Sequence, residues 1–193
     1  LNDKHSFYGF FGVGNKEPNR DDYTNSTPTS RPSHESMTDI EMGYKLKYKK
    51  AYANINIYSM DYTNQLILTG AINDVGAAVR TNVASSYRRG IEISGGISLL
   101  KNLEWKMNTT FSDNKIVSFT EFIDDWDTWG QVETNYENTD IAFSPRVIAS
   151  NQLIFKPVNS DKYGNIELAL VTKYVGDQYI DNTSNSDRML AAY

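Results

Sequence analysis

The chain has 193 residues, of which 39% are hydrophobic and 12% aromatic, with 13 Tyr, 8 Phe and 3 Trp. That apolar share is below the roughly 45–50% of an ordinary globular domain, and so many tyrosines suit a wall with one apolar and one wet face. A formal charge of −5 and a pI near 5.0 argue against a nucleic-acid partner, and the absence of Cys excludes a disulfide framework, a thiolate metal site and a Cys nucleophile.

No run approaches the roughly 18 apolar residues of a membrane-spanning helix, but barrel strands need only about 9–11 alternating residues. The hydrophobic period is two almost everywhere, and no segment reads as an amphipathic helix. Residues 5–14 are the first expected strand, aromatic on both faces. In residues 39–49, Ile40, Met42, Tyr44, Leu46 and Tyr48 share one face, against Asp39, Glu41, Gly43, Lys45 and Lys47 on the other. Residues 51–66 begin with Ala53, Ile55 and Ile57 opposed to Asn54 and Asn56. Residues 87–99 set Tyr87, Ile91, Ile93, Ile97 and Leu99 against Arg88, Gly90, Glu92, Ser94 and Ser98. Residues 103–114 set Leu103, Trp105, Met107 and Phe111 against Glu104, Lys106, Asn108 and Ser112. Residues 146–156 and 165–175 complete a set of about seven strands, several of them longer than the five or six residues usual in globular sheets.

The connections alternate in length. Lys49-Lys50 and Leu100-Lys101-Asn102 are tight turns, and residues 157–164 form a moderate one. Between them lie expected polar loops at 15–37, 67–85 and 117–143, with a fourth from Asp177 onward. Loops over about 12–15 residues are uncommon in compact domains. At every second connection they match the short periplasmic turns and long extracellular loops of outer-membrane barrels. Tyrosines gather near strand ends, namely Tyr48, Tyr52 and Tyr163 at the short-turn end and Tyr58, Tyr62 and Tyr87 towards the long loops, as aromatic girdles do.

The fold class expected is therefore all-β: an antiparallel transmembrane barrel, of which residues 1–193 form one segment. Seven such strands cannot close a wide barrel, and an open sheet in hydrocarbon leaves backbone groups unpaired at several kcal/mol each. Further strands are expected beyond this segment, since Arg188 to Tyr193 reads as the start of another. Leu1-Asn2-Asp3-Lys4 is not a signal peptide. The reading is thus of a start within a longer polypeptide, or else of a soluble cytosolic chain.

Five stretches, taken in order, resemble the C-terminal barrel of TonB-dependent outer-membrane receptors, particularly those of the Bacteroidetes type. They run from Gly14 to Tyr23, from Pro32 to Lys45, from Asn54 to Leu66, from Ile72 through Arg80-Thr81-Asn82 to Glu92, and from Tyr174 to Asn182. The second is similar to that family's "PE…D-E-G-Y" descent from loop to strand. The resemblance implies a barrel of about 22 strands with a plugged lumen. It also implies uptake of a scarce ligand (iron–siderophore, haem, cobalamin or glycan) driven through TonB, outer-membrane lipid around the wall, and no enzymatic activity or resident cofactor. The plug and the TonB-contacting segment belong to the family's N-terminal part and are not expected in these residues, nor is the last strand.

Four residues in the expected loops are candidates for ligand contact. Trp126, Trp129 and Tyr136 are aromatic groups in one long loop, and Arg80 in another could meet an anionic ligand. The competing readings are a loop folded on its own aromatics and a loop salt bridge. Glu121, Asp124, Asp125 and Asp127 form an acidic loop without the glycine of an EF-hand, so a solvated loop is favoured over a Ca²⁺ site. His5 and His34, the two histidines, lie in different segments, and no metal site is expected from them. Arg88, Glu92, Glu104, Lys106 and Asn108 are expected to face the lumen as wall residues. The alternatives are another outer-membrane barrel, whether porin-like channel or barrel hydrolase, and a soluble extracellular glycan-binding β-sandwich, whose strands would be shorter and turns more even.

Overall fold

A computed structural model describes residues 3–28, 30–160 and 164–193. The chain forms β1 (His5–Lys16), helix α1 (Arg20–Asn25), β2 (Glu35–Lys47), β3 (Ala51–Ile72), β4 (Ala78–Leu100), β5 (Leu103–Asp125), β6 (Gly130–Asp140), β7 (Val147–Ser160) and β8 (Gly164–Val175). A two-residue β9 (Gln178–Tyr179), a 3-10 turn (Ser186–Arg188) and β10 (Met189–Leu190) follow.

One antiparallel sheet holds β1 to β8 in the order β1-β2-β3-β4-β5-β7-β8. β6 pairs with the upper part of β5, from Lys115 to Asp125, and β7 pairs with the lower part, from Leu103 to Phe111. The strands lie in one main sheet of eight with only the two-stranded β9–β10 pair outside it, not in the two comparable sheets of a β-sandwich.

Register makes the two faces chemically distinct. Met42, Ile57, Ile91, Phe111 and Val147 lie side by side across β2, β3, β4, β5 and β7. Lower down, Ala51, Ile97, Trp105, Leu153 and Leu170 form a parallel row. Most of these side chains are exposed, Ile57 by 50%, Phe111 by 49% and Leu170 by 65%. An exposed apolar surface this continuous is an interaction surface, not a solvated one. On β5 it runs from Leu103 to Phe111, a span of about 27 Å at roughly 3.4 Å per residue. A strand tilt of about 40° reduces that to about 21 Å, near the ~25 Å apolar band of outer-membrane barrels.

The opposite face carries Lys45, Asn54, Ser94, Asn108, Ser150 and Lys173 in one row and Gly43, Asn56, Glu92 and Thr110 in the next. Arg88, Glu92, Glu104, Lys106 and Asn108 share this polar face, as the alternation requires.

The structure corrects three expectations. The strands are longer than the pattern indicated: β3, β4 and β5 have 22, 23 and 23 residues, so the expected loop at 67–85 is mostly strand. The expected loop at 117–143 holds the end of β5 and all of β6, giving eight strands in the main sheet. And residues 15–37 contain α1, whose start is set by a capping box: the Asn19 side chain accepts from the Asp22 amide while Asp22 accepts from that of Asn19.

The tyrosine girdle is redrawn as well. At the short-turn end the outward ring cluster is His5, Phe7, Tyr44 and Tyr48, with His5 Nδ1 and the Tyr44 hydroxyl 2.7 Å apart. Tyr52 and Tyr58 sit on the polar face instead, each lying over a glycine of β4, Gly96 and Gly90 respectively. Tyr8 does the same over Gly43 and donates to Asn56 Oδ1 beyond it at 2.8 Å. A side chain at these glycines would collide with the rings, so the pairs are cross-strand units of the wall. Tyr163, also expected in the girdle, lies outside the described residues, as does the 161–163 part of the moderate turn.

Candidate functional site

Above the apolar band the sheet continues as hairpins that pack on one another. Ile67, Val83, Ile116, Phe119 and Ile141 form the buried cluster of this region, with Ile116 fully buried. The hairpin of β3 and β4 closes on a tight turn at residues 73–77, where the Asn73 carboxamide oxygen accepts from the amides of Val75 and Ala77. It presses on β5 at Gly70, where a Cβ would meet the Phe122 carbonyl and where φ is +86°. Only glycine fits both conditions. Gln131 of β6 secures the contact by donating to the Gly70 carbonyl at 3.0 Å and to Asp124 at 2.8 Å.

The tip of the β5–β6 hairpin carries Trp126 and Trp129. They are 74% and 84% exposed, edge to face with ring centres 6.2 Å apart. The turn that presents them is built by Asp125, whose carboxylate accepts from the Asp127 amide at 3.0 Å and the Thr128 hydroxyl at 2.7 Å. Those bonds, Thr128 foremost, hold the Asp125 carboxyl below its ordinary range. The acidic loop is thus spent on its own fold: Asp125 makes the turn, Asp124 holds Gln131, and Glu121 pairs with Arg188 at 2.9 Å. Among the described residues no group of three or more His, Cys, Asp or Glu side chains is arranged to hold a metal ion.

Tyr136 stands apart from the tryptophans. It stacks on Phe119 at 5.4 Å and 16° and packs against the buried cluster. Burial, then the Glu121 carboxylate, pushes its hydroxyl above the ordinary value. Arg80 reaches Asp22 of α1 at 3.8 Å, with 42% of its side chain exposed. It helps hold α1 on β4, and Asn82 ties Ser33 there by exchanging hydrogen bonds with its backbone at 2.8 and 3.0 Å. The four sequence candidates therefore occupy three places: a bare aromatic tip, a packed ring below it, and an ion pair over the neighbouring hairpin.

Sequence reasoning did not find the strap formed by residues 176–193. Ser184 accepts from the Asp140 amide at 2.7 Å, and Asn182 accepts from the Ala142 amide at 2.9 Å. Arg188 donates to Glu121 at 2.9 Å and to Asp181 at 2.7 Å, which raises its own pKa. Burial pushes the Asp181 carboxyl up, but bonds from Thr183 and Arg188 outweigh it and hold the group below its ordinary value. Asn182 falls in the fifth family-like stretch and Arg188 at the expected strand start, which is a 3-10 turn followed by the two-residue β10, but no local pattern marks the pairing of Arg188 with Glu121, 67 positions apart.

These features have counterparts among known proteins. The profile of the family described as "TonB dependent receptor-like, beta-barrel" matches residues 1–193. Three solved structures share the fold across the whole chain. They are the ferric yersiniabactin uptake receptor FyuA from Yersinia pestis (15% identity, TM-score 0.69), the copper transporter OprC (14%, 0.70) and the siderophore receptor PiuA from Acinetobacter baumannii (12%, 0.72). The chain covers 26%, 28% and 26% of those proteins respectively, about a quarter of each. No curated protein matches the sequence. With a two-faced sheet of this register and a profile match over every residue, the chain belongs to the TonB-dependent receptor β-barrel family.

Proposed function

We infer that this chain is part of the wall of an outer-membrane receptor that captures a scarce nutrient outside the cell and passes it inward with energy delivered through TonB. The observation that supports this best is the division of one continuous sheet into an apolar outward band and hydrated hairpins above it. The cargo is a small molecule or metal chelate, of the iron–siderophore, haem, cobalamin or glycan kind. The Bacteroidetes-type assignment rests on the sequence motifs, above all Pro32 to Lys45. Coupling to TonB runs through the plug region of such receptors, and the wall itself does no chemistry.

Within this wall Trp126 and Trp129 are the ligand-contacting pair, since large exposed rings give contact area at low entropic cost. Arg80 adds a cation on the adjacent hairpin, and Tyr136 supports the tip from below. Deleting the gene is expected to abolish growth on one limiting nutrient, with restoration by the wild-type gene and weaker restoration by W126A/W129A. The full-length protein is expected to partition with the outer membrane and to migrate faster on gels when unheated. Fractionation as a soluble monomer without detergent contradicts the membrane placement, and growth on every limiting nutrient contradicts uptake.

A further inference from the structure

Residues 116–145 contain seven Asp and Glu but no Lys, Arg or His. Cations from outside this span answer two of the acids: Arg188 sits at Glu121, and Lys115 with Arg146 at Asp140. Asp125 is taken up by the turn it builds. Among the described residues no Lys or Arg pairs with Asp124, Asp127, Glu133 or Glu137, and all four are exposed. The register puts Asp124, Glu133 and Glu137 on the side of the hairpin that continues the polar face, paired across the strands with Gln131, Phe122 and Ser118. Trp126 and Trp129 stand at the head of this row, bare and edge to face. Charges of one sign around exposed indoles focus a negative field where a cation also gains from an aromatic face, and Trp is the best ring for it.

Asp39, on the polar face of β2, points the same way independently. It is only 7% exposed, and its Oδ1 has no hydrogen-bond partner. Among the described residues no cation pairs with it, nor with Glu41 and Glu92 on the same face. A buried carboxylate oxygen left unpaired costs free energy until a donor arrives. Arg88, which lies over the Tyr62 ring at 4.5 Å, is a cation of these rows without an ion pair. Lys16 and Arg80 come with their own counter-charges, Glu35 and Asp22, and Lys45, Lys47 and Lys106 lie at the short-turn end. We propose that the ligand met by the Trp pair carries a positive charge, an ammonium or guanidinium group, held on the Trp126 and Trp129 rings with Asp124 and Glu133 as its counter-charges. This rests on the ligand-contacting role given to that pair above, and it narrows the cargo to a cationic conjugate or chelate. The carboxylates of haem or an anionic chelate would meet charges of their own sign, and a neutral glycan would leave the acids unmatched.

The test uses the full-length receptor in nonionic detergent and three probes of one shape: choline, its neutral isostere 3,3-dimethylbutan-1-ol and the anionic 3,3-dimethylbutanoate. Binding is read by saturation-transfer NMR, with micelles alone subtracted. Choline is expected to bind about tenfold better than the neutral isostere, with the preference shrinking as salt rises, and the anion is expected not to bind. W126A/W129A should lower choline binding about tenfold. D124N/E133Q, which keeps side-chain size, should lower it about fivefold and leave the neutral isostere unchanged. Heat-modifiable migration reports folding in each sample. Equal binding of choline and the neutral isostere, preference for the anion, or choline binding untouched by D124N/E133Q overturns the charge assignment. If W126A/W129A still weakens the probes, the Trp pair stands as a ligand contact. Choline binding untouched by W126A/W129A, or no binding of any probe, overturns the cation site and the Trp contact together, and the growth phenotype tests uptake separately.

Discussion

The lower and upper halves of this sheet are made of the same strands yet held by different forces. Below, on the stretch of β5 from Leu103 to Phe111, alternate residues present apolar side chains outward, and among the described residues no second layer covers them. Above, from Lys115 to Asp125, β5 has β6 beside it, Ile116 and Phe119 are buried against Ile67, Val83 and Ile141, and polar clamps tie the hairpins together. On the proposed outer-membrane reading the lower half takes hydrocarbon as its second layer, whereas the upper half supplies its own.

That contrast can be broken deliberately. Ile116→Ala removes the most deeply buried side chain of the upper cluster and is expected to cost about 2–5 kcal/mol. Hydrogen exchange should show the loss in β5–β6 and the β3–β4 hairpin, not in the band. Ile55→Arg, on the outward face of β3, is expected to cost about 2–4 kcal/mol in a bilayer. Denaturant unfolding in lipid vesicles measures it, and the same change at Trp129 should be close to neutral. Gly70→Ala should loosen the β3–β4 hairpin from Phe122 by roughly 1–3 kcal/mol, read as faster proteolysis of the upper hairpins.

A smaller effect is expected at the strap. Arg188→Ala leaves the Glu121 and Asp181 carboxylates without their cation, and because Arg188 is 40% exposed the loss should be only about 1 kcal/mol. Limited proteolysis between residues 176 and 193 reports it. Strap docking should also depend on pH in one direction. Asp181 is held below the ordinary carboxylate value, so the stabilisation is complete above that ordinary value and is lost as pH falls through the lower, folded value. Protection of the strap should therefore persist from neutral pH down to about pH 4 and fail only below it. The smallest change in stability, under about 0.5 kcal/mol, is expected for W126A/W129A, whose rings touch chiefly each other. Their loss should appear in ligand affinity instead, as a drop of about tenfold or more.

The two halves also differed in how much of them the sequence revealed. Where hydrocarbon faces one side and water the other, alternation is compulsory, so Ile40 to Leu46 and Leu103 to Phe111 could be read directly. Above the band both faces meet water or other protein. β6 illustrates this: in Gln131, Val132, Glu133, Thr134 and Asn135 the polar residues fall on both faces, so no period marks a strand. The Trp pair was legible as aromatics in a polar stretch, and the structure shows them bare. The separation of Tyr136 from them was not legible, because it follows from the β5–β6 register that sets Tyr136 against Phe119. The strap depends on side-chain bonds between distant positions, such as Arg188 with Glu121 and Ser184 with Asp140, for which one sequence holds no local signal.

The most direct measurement is a spin-label scan along β5 in the bilayer-inserted receptor, using single cysteines at positions 103 to 125 of this cysteine-free stretch. Accessibility to oxygen, which concentrates in lipid, should peak at Leu103, Trp105, Met107, Thr109 and Phe111 with a period of two, and should end by Asp113. Above that point a water-soluble relaxant should reach the labels on either face, except at the buried Asn114, Ile116 and Phe119. A flat profile, or lipid contact that persists at Val117 and Ile123, would contradict the division of this sheet into a membrane wall and a self-packed crown.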